Sequence, residues 1–225
     1  MAEAYLETIY NMSMEQDRVR AVDLATKFAV SRPTVSQTVH RLVKDGLVAS
    51  TTSTGITLTD EGVRETESLL RRHRLAERLL FDLLGMDFIN AHEQAHALEH
   101  WISPEVEARI SKLLGAPETC PHGNPIPGNA PSGIEYLRRR RAIRLADVGA
   151  GSTVSVVSIS EVVEDETALL RNLMHKGVAP GRMLQVEALD DGAISYSHGD
   201  QAERLDLEVA RKIWVSIDSG APEPV

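Results

Sequence analysis

The sequence predicts a mainly α-helical chain with small β parts, and three observations carry that expectation. Apolar residues at helical spacing recur, with short breaks, from residue 3 to about residue 114. Two short β-type stretches around a polar tip interrupt them near residues 47–59. Beyond a connector at 115–133 that holds five prolines and four glycines, the pattern changes to short strand-like stretches around one helix. The 225 residues suffice for two or three compact units, each with its own core.

Residues 3–15 place Tyr5, Leu6, Ile9 and Met12 on one helical stripe. Residues 22–29 form a short helix with Val22, Leu24, Ala25 and Phe28 inward. A tight break follows at Val30-Ser31-Arg32-Pro33, where Ser31 can cap the next helix and Pro33 fits a first turn that needs no N–H. That helix runs over about 33–44 with Val35, Val39 and Leu42 buried, and Asp45-Gly46 stops it. Leu47–Ser50 and Ile56–Thr59 are then two strands around the tip Thr51–Gly55. Helix, turn, helix and two-stranded wing is the order of a winged helix-turn-helix.

Asp60 opens a long helix toward about 84 with Leu69, Leu70, Leu75, Leu79, Leu80, Leu83 and Leu84. Further helices are expected at 89–101 and about 104–114. After the connector and the basic run Arg138–Arg141, which reads as a solvated linker, strands are expected at Thr153–Ser158, Met183–Ala188, Ala193–Ser197 and Ile213–Ile217. With a helix at about 165–176 they suggest a compact β-barrel-like module.

Composition removes several classes. No run of eighteen apolar residues and no charged-then-apolar leader is present, so neither a membrane span nor export is expected, and the chain is placed in the cytoplasm. The single Cys120 excludes an intramolecular disulfide. Two Trp, four Tyr and three Phe leave little for a base-stacking platform, which argues against a single-strand binder. The net charge of −9 is adverse to polyanion binding, but its distribution matters more. Between residues 18 and 50, Arg18, Arg20, Lys27, Arg32, Arg41 and Lys44 face only Asp23 and Asp45.

The second helix of the winged segment presents Arg32, Thr34, Ser36, Gln37 and His40 opposite its apolar face, with Ser31 and Pro33 at its start. Arg pairs with guanine edges, Gln with adenine, and Ser or Thr with phosphate or a thymine methyl. Thr51, Thr52 and Ser53 in the wing are placed to reach backbone or minor groove. Any one of these residues reads equally as a solvated helix face; the whole pattern with its local positive charge favours double-stranded DNA.

A second constellation lies at His92-Glu93-Gln94-Ala95-His96-Ala97-Leu98-Glu99-His100. At about 100° per residue, His92, His96, Glu99 and His100 share roughly a third of a helix circumference. His73 and Glu77 on the preceding helix form an i, i+4 pair. Imidazoles and carboxylates on adjacent helices are how metal sites are built in helical cores, and such a set suits Mn, Fe(II), Co, Ni or Zn. His92-Glu93-x-x-His96 also matches a zinc-hydrolase motif in which Glu93 is the base. That alternative needs a third ligand and a substrate cleft, and the crowding of Glu99 and His100 on the same face counts against it.

Taken together, Ser31–Val39, Arg72–Leu80, Glu99-His100 and Gly123–Gly128 resemble the diphtheria toxin repressor family of iron- or manganese-dependent repressors, over essentially the whole chain. The resemblance implies a winged helix-turn-helix at 1–62, a helical dimerisation and metal-binding domain at 63–130, a linker at 131–143 and an SH3-like domain at 144–220. It implies a homodimer on palindromic operator DNA, two metal sites per subunit, repression of metal uptake genes, no enzyme activity, no membrane contact and no small organic substrate. By motif, His73, Glu77 and His92 match an ancillary site, to which Glu161 and Glu164 are similar to added ligands. His96, Glu99 and His100 fall on the primary site, and Cys120 and His122 resemble ligands of manganese-responsive members. Two positions depart from the family: Ala4 replaces a ligand on the first helix, for which Glu7 can substitute, and His96 stands where relatives have Cys or Glu. The absence of thioether and thiol there favours Mn(II), with Fe(II) next.

Overall fold

The computed structural model describes residues 2–16, 18–51, 55–131, 133–163, 166–190 and 192–217. The chain divides into two compact units: Met1–Cys120, Pro125–Ile134 and Glu161–Glu166 form the first, and Pro121–Asn124, Glu135–Ser160 and Thr167–Val225 the second.

The first unit opens with helices α1 (Ala2–Glu15), α2 (Ala21–Lys27) and α3 (Arg32–Lys44), then the antiparallel strands β1 (Val48–Thr51) and β2 (Gly55–Leu58), registered Val48 to Leu58. Ala29 takes the left-handed conformation in the break after α2 (φ 51°), and Ser31 caps α3 by accepting from the Thr34 N–H at 3.3 Å. Tyr5, Leu6, Ile9 and Met12 of α1 pack with Leu24, Val35, Val39, Leu42, Val48 and Ile56 into one core. The expected inward face of the recognition helix is thereby observed, and α1 is its floor.

Helix α4 (Asp60–Arg78) starts under a Thr59 cap that accepts from the Gly62 N–H at 3.1 Å. Gly62 lies against the preceding turn so closely that a Cβ would sit 2.0 Å from the Leu47 carbonyl oxygen. The predicted single helix to residue 84 instead relaxes into a π-helical turn at Leu79–Leu83. Leu80 stays buried while Leu83 and Leu84 turn outward. Helix α5 (Phe88–Leu98) is capped by Asp87, whose carboxylate accepts from the N–H groups of Ile89 and Asn90 at 3.1 and 3.0 Å. It ends three residues before the expected 101, tightening into a 3-10 turn at Glu99–Trp101. Helix α6 (Pro104–Leu113) follows, capped by Ser103. Leu75, Ala76, Ala91, Ala95 and Ile110 form the second core; the three alanines allow α4 and α5 to approach closely.

Part of the expected linker is helical: α7 (Gly133–Arg139) buries Tyr136 and Leu137. Their apolar contacts outweigh the adjoining basic run as a determinant of structure. The second unit is an antiparallel sheet ordered β3-β8-β4-β5-β6-β7, from β3 (Ile143–Arg144), β4 (Thr153–Ile159), β5 (Met183–Asp190), β6 (Ala193–His198), β7 (Gln201–Asp206) and β8 (Ile213–Ile217). Helix α8 (Glu166–His175) carries the buried Leu170 and Leu173, and a short α9 (Leu207–Ala210) precedes β8. A bulge between Val156 and Ser158 bends β4. Tyr196 is wholly buried, its hydroxyl donating to the Lys176 carbonyl at 2.7 Å. Arg144 lies over the ring of its cross-strand partner Trp214 at 3.6 Å. The four predicted strands and the 165–176 helix are present; β3, only two residues long, and β7 were not anticipated, the latter because Gln-Ala-Glu-Arg-Leu-Asp has no β-branched apolar residue to mark it.

Candidate functional site

The residues expected to read DNA lie on and beside α3. Ser31, Arg32, Pro33, Thr34, Ser36, Gln37 and His40 are all exposed, while Val35, Thr38, Val39 and Leu42 of the same helix are buried. Ser31 Oγ also lies 2.8 Å from Thr34 Oγ1, so these two hydroxyls are partly committed to the helix start. Thr51 ends β1; Thr52 and Ser53 lie outside the described residues, as does the side chain of Thr51.

The second constellation assembles from three elements of the first unit. Helix α4 supplies His73 and Glu77, α5 supplies His92 and His96, and the 3-10 turn supplies Glu99 and His100. His73 Nδ1 lies 2.6 Å from Glu99 Oε2 and its Nε2 3.2 Å from Glu77 Oε1. Glu77 Oε1 is also 2.8 Å from His92 Nδ1. The His73, His92 and His96 rings meet at centroid separations of 5.6, 4.5 and 5.1 Å. One ligand atom from each of these imidazoles lies within 4.8 Å of the other two. His73, Glu77, His92 and Glu99 are buried, whereas His96 and His100 reach solvent.

The tightened turn explains why the predicted stripe of four splits. A 3-10 turn advances about 120° per residue rather than 100°, so Glu99 points inward while His100 is exposed, its Nε2 3.5 Å from Glu99 Oε1.

A cavity of about 220 Å³ lies beside the three histidines, with Ala4, Glu7, Thr8 and Asn11 of α1, Glu161 and Glu166 on its walls. The short side chain of Ala4 leaves Glu7 as the acidic group that α1 offers. Burial pushes the Glu7 carboxyl up to about 7, with His73 opposing and Glu99 and Glu161 adding to the rise. Burial disfavours charge on His73, yet Glu77 and Glu99 more than offset it and raise its pKa well above the ordinary value. His92 is also raised: burial opposes charge, and the hydrogen bond to Glu77 and the nearby Glu166 carboxylate prevail. His96 moves the other way, down to about 4, through the protein packed around it and the neighbouring His73 and His92. The carboxylates thus favour the charged form of His73 and His92, while His96 is displaced toward its neutral form.

The other expected ligands lie as follows. Glu161 accepts from Arg74 Nη2 and Asn11 Nδ2, each at 2.9 Å. Burial raises its pKa, but the Arg74 guanidinium holds it below the ordinary value. Glu164 lies outside the described residues. Cys120 is buried in the first unit, its carbonyl accepting from Arg78 Nη2 at 3.2 Å. His122 is buried in the second, its carbonyl accepting from the Ile159 N–H at 3.0 Å.

Two groups were not singled out from sequence. Arg74 is fully enclosed and, besides Glu161, donates to the Pro125 carbonyl at 2.6 Å. Glu166 Oε1 lies 3.7 Å from His92 Nε2. Arg74 was visible beside His73 in the Arg72–Leu80 motif, whereas nothing local marks Glu166. Glu93, the base that a zinc hydrolase would require, is exposed and not among the cavity's lining residues.

Residues 1–56 match the domain family described as the iron dependent repressor N-terminal DNA binding domain. Residues 59–128 match its metal binding and dimerisation domain, and 143–217 match the FeoA domain. The chain is 36% identical over 219 residues to the iron-dependent repressor IdeR of Mycobacterium tuberculosis, an alignment covering 95% of each protein. It is 36% identical over 217 residues to the diphtheria toxin repressor of Corynebacterium diphtheriae, again over 95% of each. A solved structure of a manganese-dependent transcriptional repressor in complex with manganese superposes with a TM-score of 0.79 at 32% identity, covering 96% of this chain and 100% of that one. These relatives are repressors, and the hydrolase alternative has no support among them.

Proposed function

Since the chain belongs to the iron-dependent repressor family and is a metal-dependent, DNA-binding transcriptional repressor rather than an enzyme, we propose that divalent metal switches on its grip of a palindromic operator, with Mn(II) favoured over Fe(II). It acts as a homodimer in the cytoplasm and represses metal uptake genes. Two sites per subunit serve it: His73, Glu77 and His92 in one, and Glu7, His96, Glu99 and His100 in the other. The three-part division into DNA-binding, metal-binding and SH3-like domains is retained, and Cys120, His122, Glu161 and Glu164 remain candidate added ligands.

The observation that carries this reading is the double role of α1. Tyr5, Leu6, Ile9 and Met12 pack under α3, while Glu7 of the same helix shares a cavity wall with His73, His92 and His96. A bound divalent ion supplies a compact positive charge that imidazole nitrogen and carboxylate oxygen from separate helices engage together. Glu7 then holds α1 to α4 and α5, and α1 holds the recognition helix. Metal preference for that arrangement over its alternatives shifts the population toward it. Mn(II) is favoured because Ala4 and His96 remove the thioether and thiol donors, leaving oxygen and imidazole. Exposed apolar residues on and just after the π turn, on the 3-10 turn and on α6, including Leu84 at 65% and Trp101 at 85% exposure, support a homodimer.

The test is fluorescence anisotropy on palindromic DNA, first with chelator and then with Mn(II), Fe(II) or Zn(II) added singly. Tightening with Mn(II) beyond that with Fe(II) is expected. Equal affinity with and without metal would overturn the switch.

A further inference from the structure

We propose that residues 161–163 form an intramolecular strap that holds the helix-turn-helix to α4 before metal binds, with Lys27 as its positioning residue. Its effect on operator binding rests on the metal-switch reading; the strap itself does not. The chain leaves the second unit after Ser160 and enters the first at Glu161. The Glu161 carboxylate accepts from Asn11 of α1 and from Arg74 of α4, each at 2.9 Å. Val162 packs against the core built by α1, α2, α3 and the two wing strands. Lys27, the last residue of α2, donates through Nζ to the Glu161 carbonyl at 3.4 Å and also to the Val163 carbonyl.

By sequence, Lys27 belongs to the basic excess between residues 18 and 50 that favours DNA. The structure turns its ammonium to the backbone of the strap instead. A lysine ammonium has three donors and no acceptor, and a charged donor makes the stronger kind of hydrogen bond to a carbonyl. Lys27 and Val162 thereby fix the strap to the winged segment, and the Glu161–Arg74 bond fixes it to α4. Asn11 and Lys27 lie within the 1–56 match to a DNA-binding domain, whereas Arg74 lies within the 59–128 match to a metal-binding and dimerisation domain. The strap spans that division with no metal ion. A protein already biased toward the competent arrangement needs less metal to complete the shift, because apparent affinity scales with the competent fraction. The strap sets the starting population, and metal moves it.

The test uses the full-length protein with Lys27→Met, which keeps the aliphatic stem and removes the donors, and Lys27→Arg, which keeps charge and donors. Val162→Ser weakens the strap from its own side and leaves the winged segment unaltered. In the metal-free protein, amide hydrogen exchange over α2 and residues 161–163 is expected to rise severalfold in Lys27→Met and Val162→Ser. The Mn(II) concentration for half-maximal operator binding is expected to rise about three- to tenfold in both, and Lys27→Arg restores most of it. At saturating Mn(II), operator affinity and its salt dependence return to those of wild type. The double variant costs less than the sum of the single ones, because both cut one strap. Unchanged exchange would overturn the strap, and faster exchange with an unshifted Mn(II) midpoint would overturn its positioning role. A Lys27→Met defect that persists at saturating Mn(II) with a shallower salt dependence would make Lys27 a phosphate contact, which also overturns the proposal. Wild type that binds operator equally with and without Mn(II) overturns the switch reading, and the exchange rates alone then decide the strap.

Discussion

Nδ1 of His73 on α4 stands 2.6 Å from Oε2 of Glu99 in the 3-10 turn that follows α5. Both side chains are nearly inaccessible to water, so the pair joins two helices through a buried ionic hydrogen bond. Removing Glu99 leaves the buried His73 with only its longer contact to Glu77, at 3.2 Å, and breaking a buried pair from one side is costly.

Glu99→Ala is therefore expected to lower the stability of the metal-free protein by about 3 kcal/mol, as well as abolishing metal-dependent operator binding. His100→Ala, whose ring reaches solvent, is expected to lose the binding response with little change in stability. Denaturant unfolding of both variants separates the two effects. Equal stability loss in both would count against the buried pair.

On α3, Arg32→Ala and Gln37→Ala are expected to weaken operator binding more than random-DNA binding, leaving the melting temperature unchanged because both side chains are exposed. Leu42→Ala, at 1% exposure, is expected to cost about 2–5 kcal/mol. Equal losses on operator and random DNA would show that Arg32 and Gln37 touch only phosphate.

Gly62→Ala reverses the usual sign of a helical glycine substitution. Alanine ordinarily favours a helix by about 1 kcal/mol, but here its Cβ would lie 2.0 Å from the Leu47 carbonyl oxygen. Displacing that turn is expected to destabilise the winged segment by about 1–3 kcal/mol. A thermal melt that shows stabilisation refutes the close approach.

Asp87 gives a pH-dependent test outside the metal-binding groups. Backbone N–H groups and the Asn90 side chain hold its carboxyl below the ordinary value. A depressed folded pKa contributes stability that is fully present above the unfolded pKa of about 3.9 and is lost as pH falls through the folded value. Asp87→Ala is expected to melt below wild type at pH 7, with the difference shrinking below about pH 4. A difference that persists unchanged at pH 2.5 would assign the effect to something other than the ionised cap.

The order of the fold was legible in the chain because its signals are local. Ser31, Pro33 and Gly46 mark the limits of the recognition helix, and Val35, Val39 and Leu42 mark its buried face. Met183–Asp190 announces itself by apolar residues alternating with polar ones at Leu184, Val186 and Ala188, and Ile213–Ile217 by β-branched and aromatic residues, while Gln201–Asp206 has neither signal.

His73, Glu77, His92, His96, Glu99 and His100 were all identifiable by residue type and helical spacing, and so was the departure at Ala4. What spacing determined was which residues share an element and a face, because that depends only on the backbone period. Tertiary packing decided which of them meet. The turn at Glu99–Trp101 leaves the α-helical period, so Glu99 turns in to His73 while His100 faces solvent. The alanines at 76, 91 and 95 let α4 and α5 approach closely, bringing three imidazoles together. Arg74 and Glu161, 87 residues apart, became partners for the same reason: a buried charge is stable only beside its opposite, and the chain between them carries no local mark of where that opposite lies.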